Sequence, residues 1–156
     1  MSEYSSGSII PHKVPPPLLF GGVLISLILS RMVGLSTPLP KSVRWAGIPL
    51  LMTGLWLGSS AFMSQRRAGT SPDFRRPTSA LVMGGAYRIT RNPIYLGMAF
   101  VTSGLAFLLS EVWSLVLLPV VLMVLDRGVV ISEEDYLERK FGVDYLAYKK
   151  RVPRWF

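Results

Sequence analysis

The chain has 156 residues, 50% of them hydrophobic, and its 17 Lys and Arg against 9 Asp and Glu give a net charge of +8. It has no cysteine and a single histidine, His12, which excludes disulfides, thiolate nucleophiles, cysteine-held metals and any histidine triad or cluster within one chain. The mean hydropathy of +0.41 is gathered in blocks, so the basic excess points to a membrane surface and away from nucleic acid.

Residues 1–15 are rich in Ser and Pro and are predicted to be a flexible N-terminus. The first apolar block, PPLLFGGVLISLILSRMVGL at 16–35, has the length of a membrane-spanning helix, with Arg31 near its end able to snorkel to the interface. Only Glu3 and Lys13 are charged before it, and no small-x-small site follows, so an uncleaved span is expected. The second block, 45–63, is uncharged. Its Gly54 and Gly58, four apart, either admit a close helix neighbour or are ordinary membrane-helix glycines.

Residues 64–92 carry Gly69, Pro72, Pro77, Gly84 and Gly85 and are predicted to be a loop, within which Arg75 and Arg76 are surface anchors. The third block, 93–110, and the fourth, 112–130, are separated only by Ser110, Glu111 and Val112, so a tight antiparallel hairpin is expected. Pro119 is placed to kink the fourth, whose helix should run on through DRGVVISEEDYLERKF. Gly142 ends that helix, and Asp144 is placed to cap a shorter one, YLAYKKR, stopped by Pro153. Tyr145, Tyr148, Trp155 and Phe156 beside Lys149, Lys150 and Arg151 suit an interfacial segment on anionic lipid. The whole reads as one all-α membrane domain of four spans, with 131–156 as C-terminal helices.

Four spans put both termini and the 64–92 loop on one side. That side holds 14 of the 17 basic residues, leaving Arg31, Lys41 and Arg44 opposite. The asymmetry predicts cytoplasmic termini, in a bacterial inner membrane.

Two constellations carry possible chemistry. In GGAYRITRNPIYLGM, Asn92 and Pro93 occupy the favoured N-cap and first-turn positions of a helix. Arg88, Arg91 and Asn92 either anchor and cap that helix or hold an anionic ligand group at its free N–H end. Glu133, Glu134 and Asp135 should return beside this mouth after the hairpin, as an ion-pair network or as half of a site for a zwitterion. Asp126 and Arg127 lie at the end of the fourth span, and Asp126 and Glu133, seven apart, fall on one helix face. Tyr87 and Tyr95 are interfacial aromatics or faces for a cationic ligand.

GGAYRITRNPIYLGM, followed by a hairpin and then by SEEDYLERKFGVDYLAYKKRVPRW, resembles the isoprenylcysteine carboxyl methyltransferases and the related phospholipid N-methyltransferases, from about Arg75 to Arg154. The resemblance implies an integral membrane enzyme using S-adenosylmethionine, with its pocket on the cytoplasmic side and no soluble nucleotide-binding fold. It places the cofactor against Tyr87, Arg88, Arg91, Asn92, Pro93, Tyr95, Leu96, Gly97, Glu133 and Glu134, and makes Arg91, Asn92 and Glu134 the catalytic candidates. Arginine and the free backbone N–H groups suit the cofactor carboxylate, Glu133 or Glu134 its ammonium, and apolar residues such as Leu96 and Leu137 its adenine. Many members carry His where this chain has Asn92, which cannot titrate near neutral pH. Membrane lipids and a lipophilic substrate are the implied partners, with no metal. A non-catalytic binding module and a small transporter are the other readings. The absence of Asp and Glu from the first three spans weighs against transport.

Overall fold

A computed structural model describes residues 20, 21, 25, 28–30, 32, 39–70 and 78–156. The expected flexible N-terminus, most of the first span with Arg31, and Arg75 and Arg76 lie outside the described residues. Every regular element among the described residues is helical, in keeping with the all-α expectation.

A one-turn helix α1 (Lys41–Arg44) leads into α2 (Gly47–Arg67). Together, Lys41–Arg67 is long and apolar enough to cross a membrane. α2 outlasts the predicted apolar block because backbone hydrogen bonding does not require apolar side chains, and Ser64–Arg67 continue it. It stops at Gly69, where φ is +67°. The Gly69 N–H donates to Arg66 O and the Thr70 N–H to Gln65 O, both at 3.1 Å, the paired bonds that close a helix through a left-handed residue.

After a one-turn 3₁₀ helix (Gly85–Arg88), α3 (Pro93–Leu109) runs back along α2. Two glycine pairs fix this crossing. A Cβ on Gly54 would lie 2.6 Å from Gly97 O, and one on Gly47 would lie 2.4 Å from Gly104 O, so neither side chain can exist without separating the helices. Gly47 and Gly54 are seven residues apart, as are Gly97 and Gly104, which sets a two-turn seam. The expected close approach therefore uses Gly54 with Gly47. A Cβ on Gly58 meets nothing within 4 Å, although the Gly58 backbone N would lie 3.1 Å from a Cβ on Gly97.

The tight hairpin is present. α3 ends at Ser110 in the left-handed region (φ 60°), and α4 (Val112–Leu125) starts two residues later. Arg44, from the start of the α1–α2 segment, donates through Nε and Nη2 to the Leu108 carbonyl (3.1 and 2.9 Å), satisfying an end carbonyl that the helix cannot. α4, which contains Pro119, continues through a π-helical turn (Asp126–Val130) into α5 (Ile131–Phe141), and Trp113–Phe141 is a second stretch able to span a membrane. α3 is a shorter apolar helix between them. Leu125, Val129 and Val130 pack with Tyr95 and Ala99 of α3, and with Phe20 of the N-terminal segment.

α6 (Val143–Arg151) follows Gly142, which has φ 51° and itself occupies the N-cap position. The expected Asp144 cap is not formed. Asp144 lies inside the first turn because the helix starts at Val143, two residues earlier than predicted, directly after Gly142. The interfacial aromatics are also revised. Tyr145 and Tyr148 are buried against Leu81, Leu137 and Phe141, and Trp155 packs on the Leu57–Leu96 cluster, leaving Phe156 exposed at 86%. Tyrosine hydroxyls can be satisfied inside this fold: Tyr148 donates to the Tyr87 carbonyl at 2.7 Å.

Candidate functional site

Three sequence-distant pieces meet at the mouth of α3: the loop 89–92, the π turn with α5, and the C-terminal segment 152–156. Their meeting follows from the hairpin, which brings α5 back beside the start of α3.

The centre of the site is Glu134, 6% exposed at its side chain. Arg154 grips it with two parallel bonds, Nε to Oε1 and Nη2 to Oε2, both 2.9 Å, the strong planar pairing of a guanidinium with a carboxylate. Arg91, 10% exposed, brings Nη1 to 2.9 Å from the same Oε1. That contact is one of charge. Among the described residues, neither Nη1 nor Nε of Arg91 meets an acceptor in hydrogen-bond geometry, although both are buried. The Arg91 charge also acts on the nearby Tyr145 hydroxyl. Lys149 stands 3.9 Å from Glu134 and 3.2 Å from Glu138.

Glu133 faces elsewhere. The Tyr95 hydroxyl donates to its Oε2 at 3.1 Å. No cation lies within ion-pair distance of it among the described residues. The adjacent acids thus have different surroundings: Glu134 is saturated by arginines and Glu133 is held by one neutral phenol. Asp135 is exposed.

Asp126 belongs to the Glu134 group. It accepts from Arg154 Nη1 (3.3 Å) and from Trp155 Nε1 (2.9 Å). A straight helix would align Asp126 with Glu133. The π turn takes up one extra residue, so eight positions complete the two turns and Glu134 shares Arg154 with Asp126.

Asn92 occupies the predicted N-cap position with Pro93 at the first turn, yet its side chain does not cap the helix. Its Nδ2 donates instead to the Arg154 carbonyl at 3.0 Å. Thr90 Oγ1 donates to that same carbonyl at 2.8 Å and accepts from the Asn92 N–H at 3.3 Å. The Arg91 N–H donates to Pro153 O at 3.0 Å. Asn92 is thereby committed to the chain's C-terminal segment.

The remaining predicted residues divide. Tyr87 accepts at its hydroxyl from Gln65 Nε2 (2.7 Å), and burial, reinforced by the nearby Glu133 charge, pushes that hydroxyl's pKa up. Burial likewise raises Tyr148 and Tyr145, the latter also through Glu134. The two bonds that Arg154 donates to Glu134 raise its own pKa above the usual guanidinium value. Arg88 is exposed, Pro93 is buried, Leu96 packs on Leu57 and Ala86, and Gly97 lies against Gly54 at the helix crossing. Leu137 packs in the separate cluster of Tyr145 and Tyr148. Sequence reasoning missed Arg154 and Thr90 as organisers. The VPRW ending was a signal for Arg154, whereas nothing in the sequence marked Thr90. No His, Cys, Asp or Glu group able to hold a metal occurs among the described residues.

The phospholipid methyltransferase family pattern matches residues 43–144. A protein-S-isoprenylcysteine O-methyltransferase of Schizosaccharomyces pombe is 32% identical over 113 residues, covering 69% of this chain and 47% of its own. The protein-S-isoprenylcysteine O-methyltransferase B of Arabidopsis thaliana is 29% identical over 109 residues, 69% of this chain and 55% of its own. The chain therefore spans about half the length of these relatives. No solved structure matches it.

Proposed function

Because the chain belongs to the phospholipid methyltransferase family, we propose that it is an integral membrane enzyme moving a methyl group from S-adenosylmethionine to a lipid or lipophilic small molecule. The observation that carries this reading is the buried Arg91 guanidinium, whose Nε meets no acceptor among the described residues, together with Glu133, the chain neighbour of the glutamate that Arg91 contacts, which has no cation within ion-pair distance among the described residues. A buried donor without a partner is costly. Such a donor, and a carboxylate without a cation on the adjacent residue of α5, fit the carboxylate and ammonium of an amino-acid-bearing cofactor.

In this reading Arg91 takes the cofactor carboxylate through its buried guanidinium. Glu133 takes the ammonium, and Glu134 is the counter-ion that keeps two arginines in the site. When bound, the cofactor supplies a methyl group on a cationic sulfur, which an acceptor oxygen or nitrogen displaces in line. The chain's part is alignment and charge placement. An acceptor carboxylate is already a nucleophile, whereas an acceptor amine must first lose a proton.

The reading extends to topology. Four spans, with the first formed by residues 16–35, place both termini and the site at the cytoplasmic face of the inner membrane. The basic asymmetry supports this, and a reporter fused after Phe156 tests it by its side of the membrane. The acceptor enters sideways from the bilayer, beside α3. The direct test of the site is calorimetric titration of the detergent-purified protein with S-adenosylmethionine and S-adenosylhomocysteine. Micromolar binding of both is expected, and absence of heat for both in folded protein overturns the proposal.

A further inference from the structure

Two guanidinium groups converge on one buried carboxylate, and they are not equivalent. Arg154 holds both oxygens of Glu134 in a planar grip and extends Nη1 to Asp126. Arg91 touches only Oε1, through Nη1 and off the hydrogen-bonding direction, and its Nε meets no acceptor among the described residues. Left alone with Glu134, Arg91 would take the two-bond geometry itself, since that is the favoured arrangement of this pair. The presence of Arg154 prevents it. The cluster as a whole is balanced, with Glu134, Asp126 and Glu138 against Arg91, Arg154 and Lys149.

Arg154 is itself placed by the loop that carries Arg91. Thr90 Oγ1 and Asn92 Nδ2 both donate to the Arg154 carbonyl, and the Arg91 N–H donates to Pro153 O. The C-terminal segment and the loop are therefore held in one register, with Trp155 anchored on Asp126.

We propose that Arg154 is a positioning residue for ligand recognition: by saturating Glu134 it keeps Arg91 from closing on that carboxylate with two bonds and so leaves its buried donors for the carboxylate of the bound amino-acid-bearing nucleoside. This rests on the proposed function and adds to it a specific consequence. Loss of Arg154 should let Glu134 capture Arg91, so that only ligands with a carboxylate suffer.

The test compares S-adenosylhomocysteine with its decarboxylated counterpart, titrated by calorimetry into the full chain in detergent as wild type, Arg154→Gln and Arg154→Lys. Arg154→Gln is expected to weaken S-adenosylhomocysteine about tenfold or more, while the decarboxylated compound changes by less than about twofold. Arg154→Lys, which cannot make the planar pair, should show the same selective loss to a smaller degree, and it decides the matter if Arg154→Gln does not fold. Equal loss for both compounds means that Arg154 merely supports the fold and overturns the inference, as does unchanged binding of S-adenosylhomocysteine. If the wild type binds neither compound, the methyltransferase reading itself falls.

Discussion

Replacing Glu134 with Gln keeps the side chain's shape and removes its charge. Arg91 and Arg154 both lose their shared counter-ion, but they do not lose equally. Arg154 is 32% exposed and retains Asp126 at 3.3 Å, and Lys149 is 38% exposed, so solvent and the second partner discount both. Arg91 is only 10% exposed and has no other carboxylate within ion-pair reach among the described residues. Breaking a fully buried pair costs about 3–5 kcal/mol, and with one of the two arginines partly relieved the loss should be about 2–3 kcal/mol. For a chain of this size that corresponds to a fall of roughly 5–10 °C in the thermal midpoint. The assay is tryptophan-fluorescence melting in detergent, with Glu133→Gln as the companion. Glu133 accepts one bond from a neutral tyrosine, so its loss should lower the midpoint by no more than about 1 kcal/mol equivalent, yet weaken binding of S-adenosylhomocysteine. If Glu134→Gln melts like the wild type, or Glu133→Gln is the more damaging to stability, the division of roles between the two acids is wrong.

Gly54→Ala should destabilise by about 1–3 kcal/mol, because its Cβ would stand 2.6 Å from the Gly97 carbonyl. Gly58→Ala, which meets open space, should leave the melting midpoint unchanged or raised, and the reverse ranking would refute the glycine seam. Asn92→Asp replaces a donor with an acceptor opposite the Arg154 carbonyl, so hydrogen exchange should accelerate at the Arg91 amide and across Val152–Phe156; unchanged protection would show that the side-chain bond does not hold the segment. The raised Tyr87, Tyr145 and Tyr148 hydroxyls stabilise the fold fully below the unfolded tyrosine value of about 10 and lose that contribution as pH climbs through the folded values. The midpoint should therefore decline above about pH 10, and a midpoint flat to about pH 11.5 would contradict their burial.

The helices and the hairpin were legible because apolar block length and the Gly and Pro punctuation act locally. The meeting of Arg91 with Glu134 was legible for the same reason, since a two-residue connection between blocks forces α5 back beside the start of α3. What escaped was set by features without a local signature. The π turn after Leu125 shifts the helix face by one residue and moves Asp126 from Glu133 to Glu134, which no spacing rule for a straight helix anticipates. Asn92 has the ideal position of a cap, but the carbonyl that takes its amide is 62 residues away in sequence. The glycine seam required knowing which face of α2 meets α3. Tyr145 and Tyr148 have the composition of interfacial anchors, and only the tertiary packing supplies an internal acceptor for a hydroxyl.

The central claim is methyl transfer in a membrane, and the most direct measurement is the incubation of membranes containing the protein with methyl-labelled S-adenosylmethionine and a total lipid extract. Label is expected in the organic phase, dependent on the protein and lost in Arg91→Ala. Protein that binds S-adenosylhomocysteine yet transfers no label above the protein-free background to any extracted lipid or lipophilic acceptor would contradict it.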